Sequence, residues 1–160
     1  MKPSSNEKNM KHLALELENI LPIGRIKTRY IDLVSYASDA GFYHLVPKAV
    51  VQPINEQEIV ALFQFSQSRN MPLVFRTGGT SLSGQSITDG ILVDLSHSWK
   101  HISVENNGDT VRVQPGMTGA MVNAHLKKYG KKIGPDPASI NAAMMGGIVS
   151  NNSSGMCCGV

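Results

Sequence analysis

The spacing of hydrophobic positions along the chain predicts a succession of short helices and strands. Apolar residues between 13 and 21 recur at helical spacing after a polar leader, and Pro22 ends the pattern. This segment is therefore predicted to be an N-terminal helix. Residues 25–47 carry several aromatic side chains but show no regular period, so we expect irregular structure there.

The middle of the chain alternates between short apolar runs and one strong helical signal. Asn55 is a good N-cap, Glu58 follows three residues later, and the helical pattern ends near Arg69 and Asn70. Strands are predicted on both sides of this helix and once more after a glycine-rich loop. The predicted strands cover residues 49–51, 73–75 and 91–95. Strand, helix and strand in this order indicate a βαβ unit with parallel pairing.

The next segment has the pattern of an antiparallel hairpin. Residues 102–104 and 111–113 alternate apolar and polar side chains around Asn107-Gly108-Asp109. Thr118 is then expected to cap a helix that Gly130 ends. A parallel part followed by an antiparallel part predicts the α+β class.

Composition and charge narrow the kind of protein without indicating its chemistry. The 160 residues carry a net charge of +3 and are 41% hydrophobic, as in a globular domain. This charge is too small to predict nucleic-acid binding, and no apolar run is long enough to span a membrane. The adjacent Cys157 and Cys158 cannot form a disulfide framework, so a cytoplasmic setting is expected. Peripheral membrane association of a longer protein stays open.

The glycine loop, residues 76–86, is the first candidate site because it combines glycines, hydroxyls and one arginine directly after a predicted strand. Gly78, Gly79 and Gly84 allow the backbone to approach a ligand, and consecutive amides in such turns bind anions. Arg76 adds a positive charge, so a diphosphate is the natural ligand. The loop lacks the lysine of a P-loop and the spacings of a Rossmann fingerprint or a nucleophile elbow. A plain glycine-rich turn is the alternative interpretation.

The second stretch, residues 134–155, has a similar composition. Pro135 and Pro137 stiffen a turn around Asp136, Gly146-Gly147 permits another close backbone approach, and small polar residues follow. An exposed loop is the alternative. The chain then stops within a glycine-rich segment, which is typical of an N-terminal fragment of a larger protein.

The histidines do not indicate a metal site. His97 and His101 are four residues apart, but no cysteine, aspartate or glutamate nearby completes a ligand set. Solvated or loop-packing histidines are the favoured interpretation, and no metal is predicted.

Three ordered motifs resemble the FAD-linked oxidases with a vanillyl-alcohol-oxidase (PCMH-type) FAD-binding domain, and within them the glycolate-oxidase and D-lactate-dehydrogenase branch. They are the lead-in YASDAGFYHLVPKAVVQP, the segment FRTGGTSLSGQS and the later GPDPASINAAMMGGIVSNNSSG. The resemblance implies a helical leader over residues 1–29 and an FAD-binding domain over residues 30–160. In that domain a small parallel βαβ part precedes a mixed or antiparallel part, incomplete at the C-terminus, and the substrate domain is absent.

The resemblance also implies which residues bind FAD. In such proteins the segment that matches FRTGGTSLSGQS surrounds the pyrophosphate, and the segment that matches GPDPASINAAMMGGIVSNNSSG approaches the flavin and its linker. The positions that match are Arg76, Thr77, Gly78, Gly79, Thr80, Ser81, Gln85, Ser86, Pro137, Ser139, Gly146, Gly147, Ser150, Asn152 and Gly155. Relatives with covalently bound flavin often have a histidine where this chain has Thr80, which implies non-covalent FAD. No catalytic residue is assigned, because the family's acid–base residues would follow Val160.

The activity that the resemblance implies is oxidation of a D-2-hydroxyacid, of the D-lactate or glycolate type, by hydride transfer to FAD. The partners are then a small hydroxyacid and an unidentified electron acceptor, and the fragment alone is expected to be inactive. Two alternatives stay open. One is a non-catalytic module that binds FAD or a nucleotide, and the other is a different alcohol-oxidising branch with the same flavin domain.

Overall fold

The structure, a computed structural model, describes residues 5–155 of the chain, with side chains from residue 10 onward. The described residues divide into two compact units. The first unit contains the residues up to Arg76 together with Ser81–Asp94, and the second contains Thr77–Thr80 and the residues from Leu95 onward. Cys157 and Cys158, on which the expected cytoplasmic setting was based, lie outside the described residues.

Helices and strands alternate along the first unit and are grouped in the second. The helices are α1 (Ser5–Leu17), α2 (Tyr30–Ser35), α3 (Glu56–Arg69), α4 (Gly119–Leu126) and α5 (Met145–Ser150). The strands are β1 (Ile26–Lys27), β2 (Ala49–Val51), β3 (Leu73–Arg76), β4 (Ile91–Asp94), β5 (Ile102–Glu105) and β6 (Thr110–Val113). Single turns of 3-10 helix occupy Ile23–Arg25, Asn106–Gly108 and Lys127–Tyr129.

The first unit is built on a four-stranded sheet in the order β1-β2-β4-β3. Both β2 and β3 run parallel to β4, with Val50 and Val74 opposite Leu92, while β1 is antiparallel to β2. Every residue of β2 and β4 is buried. Parallel strands covered on both faces are continuously apolar, which explains why these segments show no alternation in the sequence.

Helices α1 and α2 contribute to the core of the first unit. Leu33 of α2 packs with Val50 and Leu92, and Met10 of α1 contacts the same cluster. Leu17, at the end of α1, is fully buried. The predicted N-terminal helix is therefore confirmed, and its apolar face supplies part of this core.

Helix α3 begins and ends where the sequence predicts. The Asn55 side chain accepts a hydrogen bond from the Glu58 amide at 2.9 Å, and Asn70 ends the helix in the left-handed conformation with a φ of 46°. The Arg25 guanidinium donates two hydrogen bonds of 2.6 Å to the Glu58 carboxylate. These bonds lower the pKa of Glu58, and the pair fixes the first turn of α3 against the segment before β1.

The prediction of irregular structure over residues 25–47 is wrong in its first part, which contains β1 and α2. Just before α2, the Arg29 guanidinium donates two hydrogen bonds to the Asp32 carboxylate, at 2.7 and 2.9 Å. Leu33 of α2 is buried. Tyr30 and Ile31 are exposed instead of facing the core. Because large apolar side chains lie on the solvent side, the helical period is concealed in the sequence.

The second unit contains the predicted hairpin and the predicted capped helix. Strands β5 and β6 pair antiparallel with Val104 opposite Val111. The Thr118 side chain accepts a hydrogen bond from the Met121 amide at 3.2 Å, and Gly130 adopts a φ of 67° beyond the last turn. A cluster of Met117, Val122, Leu126 and Ile133 forms the core, with the inner residues of the hairpin packed on it.

These two units confirm the α+β class. Within residues 5–155, we find no helix with the length and apolar character that crossing a bilayer requires.

Candidate functional site

The glycine loop is divided between the two units. Thr77–Thr80 belong to the second unit, whereas Arg76 and the segment Ser81–Ser86 belong to the first. The two parts have different surroundings and are described separately.

In the second unit, Thr77–Thr80 lie directly against the second stretch. A Cβ added to Gly78 would lie 2.5 Å from the carbonyl oxygen of Ala142. A Cβ on Gly146 would lie 3.2 Å from the Thr77 methyl group, and one on Gly147 would lie 3.4 Å from the Thr77 hydroxyl oxygen. The absence of side chains at these glycines therefore lets Thr77–Thr80 pack closely on the second stretch, and this packing joins parts of the two candidate sites in one unit. Whether the glycines also let the backbone approach a ligand stays a prediction.

The amides of Thr77–Thr80 are available as hydrogen-bond donors. Among the described residues, none of these four consecutive N–H groups donates to a backbone or side-chain acceptor. Gly79 has a φ of 63°, a left-handed conformation that only glycine adopts without strain. Consecutive amides around such a residue form a concave donor set for anionic oxygens. This donor set fits the diphosphate of FAD.

The second stretch is partly helical, which corrects its interpretation as an exposed loop. Residues 145–150 form α5, and Met145 packs on the core of the second unit. The Gly146 amide donates to the Pro115 carbonyl at 3.0 Å, which anchors the start of this helix. A composition rich in glycine, serine and asparagine disfavours helix, but these tertiary contacts override the local preference.

The two ends of the second stretch meet. The Asp136 amide donates to the Ser154 carbonyl at 2.6 Å, and Gly155 has a φ of 84° beside the Asp136–Pro137 backbone. A Cβ on Gly155 would collide with the Asp136 carbonyl oxygen. This closure places Gly155 next to Pro137, two of the predicted FAD-binding positions.

In the first unit, the segment Ser81–Ser86 is closed by its own side chains. The Ser81 hydroxyl donates to the Gln85 side-chain oxygen at 2.7 Å and accepts from the Ser83 amide at 3.2 Å. The Ala40 amide donates to the Ser81 carbonyl at 3.0 Å, so the segment also rests on residues 38–44. Ser81 and Gln85 are thus fixed as a pair.

The Arg76 guanidinium binds backbone carbonyls of the first unit. Its Nη1 donates to Ser38 at 2.8 Å and to Tyr36 and Ser86 at 3.4 Å each. The guanidinium carbon lies 5.7 Å from the centre of the Tyr36 ring. Arg76, which the sequence suggested as a phosphate ligand, therefore uses its guanidinium to hold backbone segments of the first unit together.

Sequence reasoning missed a polar cluster at the carboxyl ends of the parallel strands. Asp94, at the end of β4, is only 2% exposed and accepts hydrogen bonds from the Tyr36 hydroxyl and the Gln52 amide, both at 2.9 Å. The signal was available, because Gln52, Arg76 and Asp94 are the polar residues at which the three apolar runs end. Carboxyl ends of parallel strands meet at one edge of a sheet.

Burial and the neighbouring Asp94 carboxylate raise the pKa of Tyr36 from 10.0 to about 12. Because the folded pKa exceeds the unfolded one, the stability contributed by the Tyr36–Asp94 hydrogen bond is fully present below pH 10. We expect it to be lost between pH 10 and about pH 12, where the phenol is ionised in the unfolded chain and still neutral in the folded one. The measurement is the urea midpoint of wild type and Tyr36→Phe at pH 8 and pH 11.5. The urea midpoint of wild type should exceed that of Tyr36→Phe by less at pH 11.5 than at pH 8.

The exposed Tyr30 provides the matched control for this titration. Tyr30→Phe should follow wild type at both pH values. A constant difference between wild type and Tyr36→Phe across this range would contradict the assignment.

The remaining predicted FAD-binding residues are not gathered by direct contacts. Ser139, Ser150 and Asn152 are exposed, and Asn152 adopts a φ of 48° just after α5. Their assignment to FAD stays a prediction. In the described part of the chain, no three histidine, cysteine, aspartate or glutamate side chains are placed to hold a metal ion.

Comparison with known proteins identifies the family. Residues 47–160 match the FAD binding domain family. D-2-hydroxyglutarate dehydrogenase of Escherichia coli (strain K12) is 33% identical over 144 residues, which are 88% of this chain and 14% of that protein. The glycolate oxidase subunit GlcD of the same strain is 27% identical over 130 residues, which are 79% of this chain and 26% of that protein. The chain therefore spans a minor part of the length of these relatives.

Solved structures show the same fold. An alkyldihydroxyacetonephosphate synthase matches with a TM-score of 0.77 at 19% identity, over 91% of this chain and 30% of that one. A p-cresol methylhydroxylase matches with a TM-score of 0.63 at 14% identity, over 77% of this chain and 25% of that one. The PCMH-type fold expected from the motifs is thus confirmed. Since residues 47–160 make up most of the sequence, the chain belongs to the FAD binding domain family, and its cofactor is FAD.

Proposed function

We propose that this chain is the FAD-binding part of a flavin-dependent oxidoreductase that oxidises a D-2-hydroxyacid. The domain division proposed with it is a helical leader over residues 1–29 followed by the FAD-binding domain from residue 30. The electron acceptor of the whole protein is left unassigned.

The observation that carries the proposal is the set of free amides in Thr77–Thr80. Four consecutive donors without partners among the described residues, around a left-handed Gly79, suit the negatively charged oxygens of a diphosphate. The contact of Thr77 with Gly146 and Gly147 supports a role for the second stretch in the same site. The family match favours a dinucleotide over a small anion as the ligand of these amides.

The relatives support the substrate class. D-2-Hydroxyglutarate dehydrogenase and glycolate oxidase are both named for 2-hydroxyacids, and the dehydrogenase has the higher identity. D-2-Hydroxyglutarate is therefore the first substrate to test, followed by D-lactate and glycolate.

Within this proposal the predicted site residues of the chain bind and orient the cofactor. In the second unit, the amides of Thr77–Thr80 hold the diphosphate. In the first unit, Ser81, Gln85 and Ser86 belong to the proposed set of FAD-binding residues. Pro137, Gly146 and Gly147 approach the flavin side. Bound FAD supplies the hydride-accepting chemistry for the substrate's α-carbon.

Titration of the purified chain with FAD tests the binding step. We expect saturable quenching of flavin fluorescence, with FMN and ATP binding more weakly because each lacks part of the dinucleotide. Circular dichroism of the same sample checks folding. A folded chain that does not respond to FAD would overturn the proposal.

Dye reduction by the full-length protein tests the substrate class. D-2-Hydroxyglutarate, D-lactate and glycolate should be compared with the L-enantiomers of the first two at equal concentration. We expect reduction with at least one D-2-hydroxyacid and little with its mirror image. Activity confined to alcohols without a carboxylate would assign the protein to a different branch of the fold.

A further inference from the structure

In the first unit, the Arg76 side chain is one of the supports of the segment Ser81–Ser86. Arg76 is the last residue of β3, and its Nη1 reaches the carbonyls of Ser38 and Ser86. Ser86 ends the segment Ser81–Ser86, so this guanidinium ties the end of the segment to residues 36–38. The bond to Ser38 is 2.8 Å, whereas those to Tyr36 and Ser86 are 3.4 Å, near the limit for a hydrogen bond. A small tilt of the guanidinium would break the two longer bonds.

The Tyr36 ring lies beside the Arg76 guanidinium. The guanidinium carbon lies 5.7 Å from the ring centre, within the range of a cation–π contact. The ring itself is anchored at its far end, where the hydroxyl donates to the buried Asp94 carboxylate at 2.9 Å. Gln52 donates to the same carboxylate oxygen at 2.9 Å and fixes its position. A chain of contacts therefore runs from the end of β4, through Tyr36, to Arg76 and the glycine loop.

We propose that Tyr36 is a positioning residue for FAD binding: anchored by Asp94, its ring orients Arg76, which holds in place the end of the segment Ser81–Ser86, whose residues are proposed to bind FAD. The inference rests on the proposed function, because it assigns the segment to FAD. Tyr36 itself need not touch FAD, since it acts through Arg76.

A double-mutant cycle separates this role from a merely structural one. The variants are Tyr36→Leu, Arg76→Met and the double variant, each measured for FAD affinity by fluorescence titration and for stability by urea unfolding. Tyr36→Leu should raise the FAD dissociation constant about tenfold in the wild-type background. In the Arg76→Met background the same change should leave FAD affinity unaltered, although it lowers stability in both backgrounds.

Two further variants sharpen the cycle. Tyr36→Phe keeps the ring and removes the anchor, so it should weaken FAD binding by about threefold, less than Tyr36→Leu does. Tyr30→Phe, at an exposed tyrosine, is the matched control and should bind FAD like wild type. Equal effects of Tyr36→Leu in both backgrounds, or lost stability with unchanged affinity, would overturn the positioning role.

Amide hydrogen exchange in the flavin-free chain provides a second readout. Tyr36→Leu and Arg76→Met should both accelerate exchange across Ser81–Ser86, and Tyr30→Phe should not. Unchanged exchange in Tyr36→Leu would contradict the inference even if the wild-type chain binds FAD. If the wild-type chain binds no FAD at all, the proposed function fails, and the inference fails with it.

Discussion

Gly78→Ala should abolish FAD binding and lower the free energy of unfolding of the second unit by about 2–3 kcal/mol. The added Cβ would lie 2.5 Å from the Ala142 carbonyl oxygen, and a backbone atom cannot move aside as a flexible side chain can. Thr77–Thr80 would then be displaced from the second stretch, and their amides would no longer face the diphosphate together. Fluorescence titration with FAD and urea unfolding measure the two effects.

Gly134→Ala is the matched control, because a Cβ at that glycine would meet no heavy atom within 4 Å. It should unfold and bind FAD like wild type. Gly147→Ala should have a free energy of unfolding between those of Gly78→Ala and Gly134→Ala, since its Cβ would make an ordinary contact of 3.4 Å with the Thr77 hydroxyl oxygen. Wild-type FAD affinity in Gly78→Ala would show that the contact between the two segments is not needed for the site.

Asp94→Ala should lower the free energy of unfolding of the first unit by about 3 kcal/mol. The carboxylate is 2% exposed, and its removal leaves the Tyr36 hydroxyl and the Gln52 amide without their acceptor in the interior. Because unpaired polar groups away from water lose their solvation, the cost exceeds that of an exposed hydrogen bond. Urea unfolding followed by far-ultraviolet circular dichroism measures the change.

Asp89→Ala serves as the reference, because Asp89 is an exposed aspartate close by in the same unit. Its free energy of unfolding should stay within about 0.5 kcal/mol of the wild-type value. The free energy of unfolding of Asp94→Asn should fall between those of the two alanine variants, since an amide oxygen can accept both hydrogen bonds but carries no charge. A midpoint for Asp94→Ala equal to that of Asp89→Ala would show that the cluster does not stabilise the unit.

The elements that local chemistry determines were predictable from the sequence. Helix α3 has an N-cap at Asn55 and a left-handed end at Asn70, and both are side-chain preferences that operate within one turn. The hairpin β5–β6 follows from alternation around Asn107-Gly108, and the fully buried strands β2 and β4 follow from their apolar runs. In each case a few neighbouring residues contain the whole signal.

Elements that depend on distant contacts were not predictable in this way. Helix α2 presents Tyr30 and Ile31 to solvent, so its apolar period is lost, and α5 forms in a glycine-rich segment because Met145 and Gly146 are held by the second unit. The insertion of β4 between β2 and β3 has no local signal either. Pairing order is decided by which strands bury each other, and that is a property of the assembled sheet.

In the candidate site too, features with a local sequence signal were predictable and features that depend on distant contacts were not. The composition of Thr77–Thr80 indicated a donor-rich turn, because glycines and adjacent amides are visible in a sequence. The role of Arg76 as a donor to backbone carbonyls was not visible in the sequence. It depends on Ser38 and Ser86, which are 38 and 10 residues away along the chain and come together only in the folded unit. The position of Asp94 at the end of an apolar run could have indicated the buried cluster.

The position of β4 has a consequence for how the protein is made. The middle strand of the first sheet is the last of its four strands to leave the ribosome, after both of the strands that it joins. A nascent chain that ends before Ile91 therefore presents two apolar strands with unpaired inner edges, the state in which growing polypeptides associate wrongly or recruit chaperones. Completion of Asp94 delivers the missing strand and, in the same step, the carboxylate that receives Tyr36 and Gln52. Synthesis of this one short segment thus sets the earliest moment at which the first unit can fold.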